Sequence, residues 1–199
     1  MKEATKFNCY WNQSVALIGP EPFSVLNYWR DVLHNMELVG AYENGVSFGN
    51  LSLRDRQSSR FFIPGAGTGE IPVLEPGHYL RVDGYNFKDN AVQCTGPLKT
   101  SSESLSHAAV YYADAGTNAI IHIYSIELWE KLKGKVPSTD PQYEFGSMGL
   151  ANDIFRIFKE TDAIEKRIII IGGDRAGLIA FGNDMDEAIN ILMQYIEEE

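Results

Sequence analysis

Ser101-Ser102-Glu103-Ser104-Leu105-Ser106-His107 leads, twelve residues on, into Ala119-Ile120-Ile121-His122-Ile123-Tyr124. The first stretch opens on hydroxyls and a carboxylate and passes into Leu105, Ala108, Ala109 and Tyr112, which share one side of a helix predicted over residues 102–113. The second is β-branched and apolar with a single imidazole, the pattern of a strand buried on both faces. A helix running into a buried strand excludes an all-β and an all-α chain. It sets the expectation of one central sheet with helices against it.

The same two periods recur outward from there. Toward the C-terminus the pattern predicts a helix over Ile126–Leu132 ended near Gly134, a helix over residues 148–159, strands over 167–171 and 178–181, and a helix over 184–198. Asp184 and Glu187 have capping-box spacing at its start. Toward the N-terminus, Val25, Leu26, Trp29, Val32, Leu33 and Met36 form one apolar face of a helix beginning near Pro22, with Gly40 as its stop. Short strands are expected over 46–54 and 60–64 around a Gln57-Ser58-Ser59 turn. A Gly/Pro loop over 64–77 follows, then a strand over 79–82, a turn at Asp83-Gly84 and a hairpin strand over 86–94. Residues 1–20 read as an arm, extended or briefly helical. With 199 residues, a single domain over 1–199 is expected.

Composition narrows the function classes. Seventeen Lys and Arg against 27 Asp and Glu leave a net charge of −10, so nucleic acid and anionic membrane are not expected partners. Two cysteines, Cys9 and Cys94, cannot build a disulfide framework or a Cys-rich zinc site. The longest aliphatic run, Ile168–Ile171, is far too short to span a bilayer, and no signal-peptide core is present. A soluble, cytoplasmic protein is the expectation.

Four segments could carry chemistry. Gly49-Asn50-Leu51-Ser52-Leu53-Arg54 alone reads as a strand entered through a turn. Gly65-Ala66-Gly67-Thr68-Gly69 has glycines that let backbone N–H groups approach an anion, but no helix follows it, so it is neither a dinucleotide fingerprint nor a P-loop. Ser101-Ser102-Glu103 at a helix start is an anion site with a carboxylate that could move protons, or simply a cap with Ser102 at its head. His107 reads as a packed core residue. His122 and Tyr124, two apart on a strand, point to the same side.

Taken in order, these segments resemble the class II aldolase/adducin family, to which L-fuculose-phosphate aldolases and L-ribulose-5-phosphate 4-epimerases belong. The resemblance runs from Phe23 to Ile196: an N-terminal helix, Gly49 to Arg54, the Pro64–Gly67 loop, Ser101 to His107, the His122 strand, Gly177-Leu178-Ile179-Ala180-Phe181-Gly182, and Asp186-Glu187-Ala188 in the last helix. It implies an α/β three-layer fold with a mostly antiparallel central sheet flanked by helices, and a homotetramer. It also implies an anion site for a small phosphorylated sugar at Ser47, Asn50, Gly65, Ser101 and Ser102, with Glu103 as the proton-transfer residue. In that family a zinc ion is held by a His-x-His strand and a His-Gly turn. Here His122 matches the first ligand, Tyr124 stands at the second and Ala176 at the third, and a slip of one or two residues would bring Asp174 in instead. One imidazole and a phenol of ordinary pKa about 10 do not make a competent zinc site at neutral pH. The expectation is therefore a domain that binds a phosphorylated sugar with a degraded zinc triad and without the usual cleavage. The alternatives are an active aldolase or epimerase with a non-standard metal site, and a non-catalytic scaffold.

Overall fold

The computed structural model describes residues 7–56, 58–144, 146–173 and 176–197. Asp174, Gln57 of the expected turn, the first six residues of the arm and Glu198 lie outside the described residues. In chain order the elements are β1 (Asn8–Gln13), α1 (Pro20–Asn35), β2 (Gly40–Ala41), β3 (Ser47–Phe48), β4 (Asn50–Arg54), β5 (Phe61–Pro64), β6 (Tyr79–Asn86), β7 (Ala91–Gly96), α2 (Ser104–Ala113), β8 (Ala119–Tyr124), α3 (Ile126–Leu132), α4 (Met148–Glu160), α5 (Ala163–Lys166), β9 (Ile168–Ile170), β10 (Gly177–Gly182) and α6 (Met185–Glu197).

Eight strands form one sheet in the order β1-β7-β6-β5-β4-β8-β10-β9, and β2 pairs with β3 in a separate two-stranded ribbon. Every pairing in the large sheet is antiparallel except β1 with β7. Period-two alternation divides the core between the two faces. Ile121 and Ile123 of β8, Leu178 and Ala180 of β10, and Ile168 and Ile170 of β9 pack with Leu26 and Leu33 of α1, Trp129 of α3 and Leu192 of α6. Ile120, Ile179, Phe181 and Ile169 point the other way, onto Leu105 and Ala109 of α2 and Leu150 and Ile154 of α4. The result is the expected three-layer α/β arrangement with a mostly antiparallel sheet in the middle.

Local chemistry moves several expected boundaries. Within the arm, Asn8–Gln13 is extended and completes one edge of the sheet beside β7. Gly40 does not stop α1. The helix ends at Asn35, Glu37 takes a left-handed conformation (φ +59°), and Gly40 enters β2. The expected strand over 46–54 is broken at Gly49 (φ +67°), where a side chain would meet the His122 carbonyl and Val39 at 2.8 Å. Asp83-Gly84 is not the hairpin turn but a bulge within β6: the register steps from Val82 opposite Cys94 to Gly84 opposite Gln93, and the skipped Asp83 accepts side-chain hydrogen bonds from Arg81 and Thr95. The chain reverses instead at 87–90, where the Asn86 side chain accepts from the N–H groups of Lys88 and Asp89 and Asn90 is left-handed. In α6, Asp184 accepts from the Glu187 N–H and Glu187 reaches back to the Asn183 N–H, as the capping spacing implied.

Candidate functional site

The pairing of β4 with β8 builds the site. Asn50 lies opposite His122, so the two-residue period places Asn50, His122 and Tyr124 on the sheet face that α2 covers. The chain enters α2 through a turn at 101–103, closed by hydrogen bonds from the Ser104 N–H to the Ser101 carbonyl and from the Leu105 N–H to the Ser102 carbonyl. Glu103, not Ser102, holds the helix-cap position, and no side chain caps it. The Ser102 hydroxyl is thereby released from the capping role expected of it. Glu103 projects over the sheet toward Asn50.

These elements and the 64–69 loop enclose a cavity of about 440 Å³. Ser47, Asn50, Gly65, Ser101, Ser102 and Glu103 all line it, as do Tyr124 and Arg30. The residues expected to bind a ligand and Glu103 therefore meet in one place, although Ser47 and Ser102 are 55 positions apart, whereas His122 lies beside Glu103 and outside the cavity lining. Two of the loop's glycines, Gly65 and Gly69, are there for close approach. A Cβ on Gly69 would fall 2.0 Å from the Gly40 carbonyl oxygen, and one on Gly65 would fall 2.6 Å from Leu98. Ser47 Oγ accepts the Gly69 N–H at 3.0 Å and ties the loop to β3.

Two neighbours hydrogen-bond to Glu103 and a third lies beside it. Asn50 Nδ2 donates to its Oε2 at 2.6 Å, the Tyr124 hydroxyl donates to its Oε1 at 3.3 Å, and His122 Nδ1 lies 3.7 Å from Oε2. One N–H of the Asn50 amide is thus directed to the carboxylate, a role the sequence did not suggest. The Tyr124 ring packs between His122 and Phe48, with centroids 5.1 Å and 5.7 Å away, and Phe48 packs in turn on Tyr42. The cavity so has an aromatic wall beside its polar end.

His122 is fully buried, and burial pushes its pKa down to about 3, so the imidazole is neutral at pH 7. Behind it, His107 is also fully buried and held well below the usual histidine range, first by desolvation and then by His122. His107 Nδ1 shares a 2.7 Å hydrogen bond with Ser52 Oγ, and Ser52 Oγ lies 2.8 Å from the Tyr111 hydroxyl. The core role read for His107 has this polar network as its content.

A zinc ion would need several donors converging on one point. Ala176 brings only a methyl group, and its carbonyl accepts the Ser125 N–H. Among the described residues no three His, Cys, Asp or Glu side chains come close enough together to share an ion. Of the three positions that the resemblance assigns to histidine ligands, His122 alone carries an imidazole, and Asp174 lies outside the described residues.

Two further residues escaped the sequence reading. Arg30 was hidden because arginine in a helix is ordinarily a surface residue, yet it sits four after Leu26 and three before Leu33 on the buried stripe of α1. Thr68, whose hydroxyl donates to the Gly65 carbonyl and closes the glycine loop, had no periodic signal at all.

A three-layer domain with a mostly antiparallel central sheet and helices on both faces is the fold of the class II aldolase type. Residues 43–198 match the class II aldolase and adducin N-terminal domain, and the chain belongs to that family. A methylthioribulose-1-phosphate dehydratase of Leptospira interrogans (serovar Lai) is 32% identical over 103 residues, a match covering 48% of this chain and 41% of that protein. The chain is thus matched along less than half of the curated relative's length. Among solved structures, an L-fuculose 1-phosphate aldolase superposes with a TM-score of 0.68 at 17% identity, covering 92% of this chain and 85% of that one. The L-fuculose 1-phosphate aldolase from Glaciozyma antarctica PI12 gives 0.60 at 15% identity, covering 92% and 74%. At these identities the likeness concerns the fold.

Proposed function

We propose that this domain binds a small phosphorylated sugar in the cavity between the 64–69 loop, β4 and the start of α2, and that it does so without the zinc triad of its family. The observation that carries this reading is the gathering of Ser47, Asn50, Gly65, Ser101 and Ser102 with Glu103 around one cavity. Hydroxyls, an amide and glycine backbone suit phosphate oxygens, and the relatives named above take sugar phosphates by name. In place of a metal the chain puts the Tyr124 hydroxyl on Glu103. Glu103 is the group in this reading that takes a proton from a bound ligand or returns it. Asn50 and Tyr124 fix which lone pairs of the carboxylate face the ligand.

The test is a thermal-shift titration with a panel of pentose and hexose phosphates. A ligand at one hundred times its dissociation constant should stabilise the fold by about 2.7 kcal/mol, and Asn50→Ala and Ser102→Ala should each abolish the shift. A melting temperature indifferent to the whole panel, in wild type and variants alike, rejects the reading.

A further inference from the structure

Arg30 is buried at 4% exposure inside a layer of apolar side chains, where an arginine is costly unless its charge is answered. Its guanidinium donates to four backbone carbonyls of one loop: Ile71 at 2.6 Å, Pro72 at 2.8 Å, and Thr68 and Gly69 at 3.4 Å each. Carbonyls satisfy hydrogen bonds but carry no net charge. The carboxylate found with it among the described residues is Asp31, at a stretched 3.4 Å and 37% exposed. An exposed partner at that distance compensates a buried cation only weakly.

The guanidinium lies at the wall of the cavity. Of the residues lining it, Arg30 is the cation and Glu103 the anion, and Glu103 is engaged by Asn50 and Tyr124. Arg30 also engages the carbonyls at 68, 69, 71 and 72, so these acceptors are already satisfied. Gly69, whose carbonyl it holds, is the residue whose N–H is fixed by Ser47.

We infer that Arg30 is a positioning residue for anion binding: from behind the 64–72 loop it supplies the positive charge that a phosphate dianion in the cavity requires, and it holds the loop in its receptive shape. The inference rests on the phosphorylated-ligand reading above. Arginine suits the role better than lysine would, because its planar fork reaches several carbonyls at once and stays charged when buried.

The test is calorimetric titration of wild type, Arg30→Met, Arg30→Lys and Asp31→Asn at pH 7.5 with inorganic phosphate and fructose 1-phosphate, with fructose as the neutral control. Arg30→Met is expected to weaken phosphate-ligand binding about thirtyfold, the loss of one buried charge interaction. Arg30→Lys keeps the charge but not the fork. It is expected to melt as low as Arg30→Met yet to recover binding to within about fivefold of wild type, a split that a purely structural role does not produce. Asp31→Asn removes the competing carboxylate and should tighten phosphate about threefold.

Binding by a folded Arg30→Met at wild-type strength overturns the inference, as does Arg30→Lys binding no better than Arg30→Met. Should neither Arg30 variant fold, Asp31→Asn decides, and an unchanged affinity there overturns it. A wild type that binds fructose 1-phosphate while these variants match it leaves the phosphorylated-ligand reading standing and removes Arg30 alone. A wild type that binds neither phosphate ligand removes both.

Discussion

Replacing Gly69 by alanine tests whether the cavity depends on the close approach of the 64–69 loop to β2. The backbone at Gly69 is not in the left-handed region, so an alanine there carries no conformational strain of its own. The obstacle is contact. Its Cβ would lie 2.0 Å from the Gly40 carbonyl oxygen, 2.6 Å from the Gly40 carbonyl carbon and 2.8 Å from Ser47 Oγ, whereas ordinary contact begins near 3.4 Å. Loop and strand must therefore separate by about 1.4 Å, which also breaks the hydrogen bond from the Gly69 N–H to Ser47. Overpacking of this kind costs about 1–3 kcal/mol and the lost hydrogen bond about 1 more. At about 2–4 °C per kcal/mol for a chain of this size, the melting temperature should fall by roughly 4–16 °C. Any sugar-phosphate thermal shift should vanish, since Ser47 and the loop no longer face one another. Gly67→Ala is the control. Gly67 is left-handed (φ +77°) with nothing within 4 Å of a Cβ, so the cost there is backbone alone, about 1–2 kcal/mol, with ligand binding retained. Differential scanning fluorimetry with and without ligand reads both variants. A Gly69→Ala protein as stable as wild type, or one less affected than Gly67→Ala, would refute the reasoning.

Other expected outcomes bear on the metal, the buried polar network and assembly. Elemental analysis of protein purified without chelator should find far less than one zinc per chain, and about one tightly held ion, lost on His122→Ala, would reverse the metal reading. Ser52→Ala strips the shared partner from two buried groups, His107 Nδ1 and the Tyr111 hydroxyl, and should cost about 2–4 kcal/mol in a urea titration. An unchanged midpoint would mean that water replaces the hydroxyl. His107 has a folded pKa held below its unfolded value, so the unfolded chain binds the extra proton as pH falls below about 6.5. Stability should then decline toward acid by up to about 1.4 kcal/mol per pH unit from this residue, and His107→Gln should flatten the slope between pH 6 and 4. An identical acid profile in that variant would contradict the assignment. Light scattering on a sizing column should give about 89 kDa for a homotetramer, four times 22.3 kDa, against which a clean monomer peak would count.

What could be read from the sequence is what repeats within a few residues. The two-residue period of β8 and β10 and the three-to-four-residue stripes of α1, α4 and α6 report which side faces a core, because each is set by the geometry of a single element. The motif order from Gly49 through Ser101 to His122 carried the family, and with it the residues that come to line the cavity. The tertiary structure alone decided how those residues meet. Nothing local says that Asn50 lies opposite His122, since register is set by packing across the whole sheet. The same holds for Asp83-Gly84, whose turn signature gives way to a bulge in the pairing of β6 with β7. It holds for Tyr124, which reads as a lost metal ligand in the sequence and is a hydrogen-bond donor to Glu103 in the fold. Arg30 is the sharpest case. In the sequence it interrupts an apolar stripe, and only a loop some forty residues away, folded back with its carbonyls turned inward, supplies the partners that let a charge be buried there.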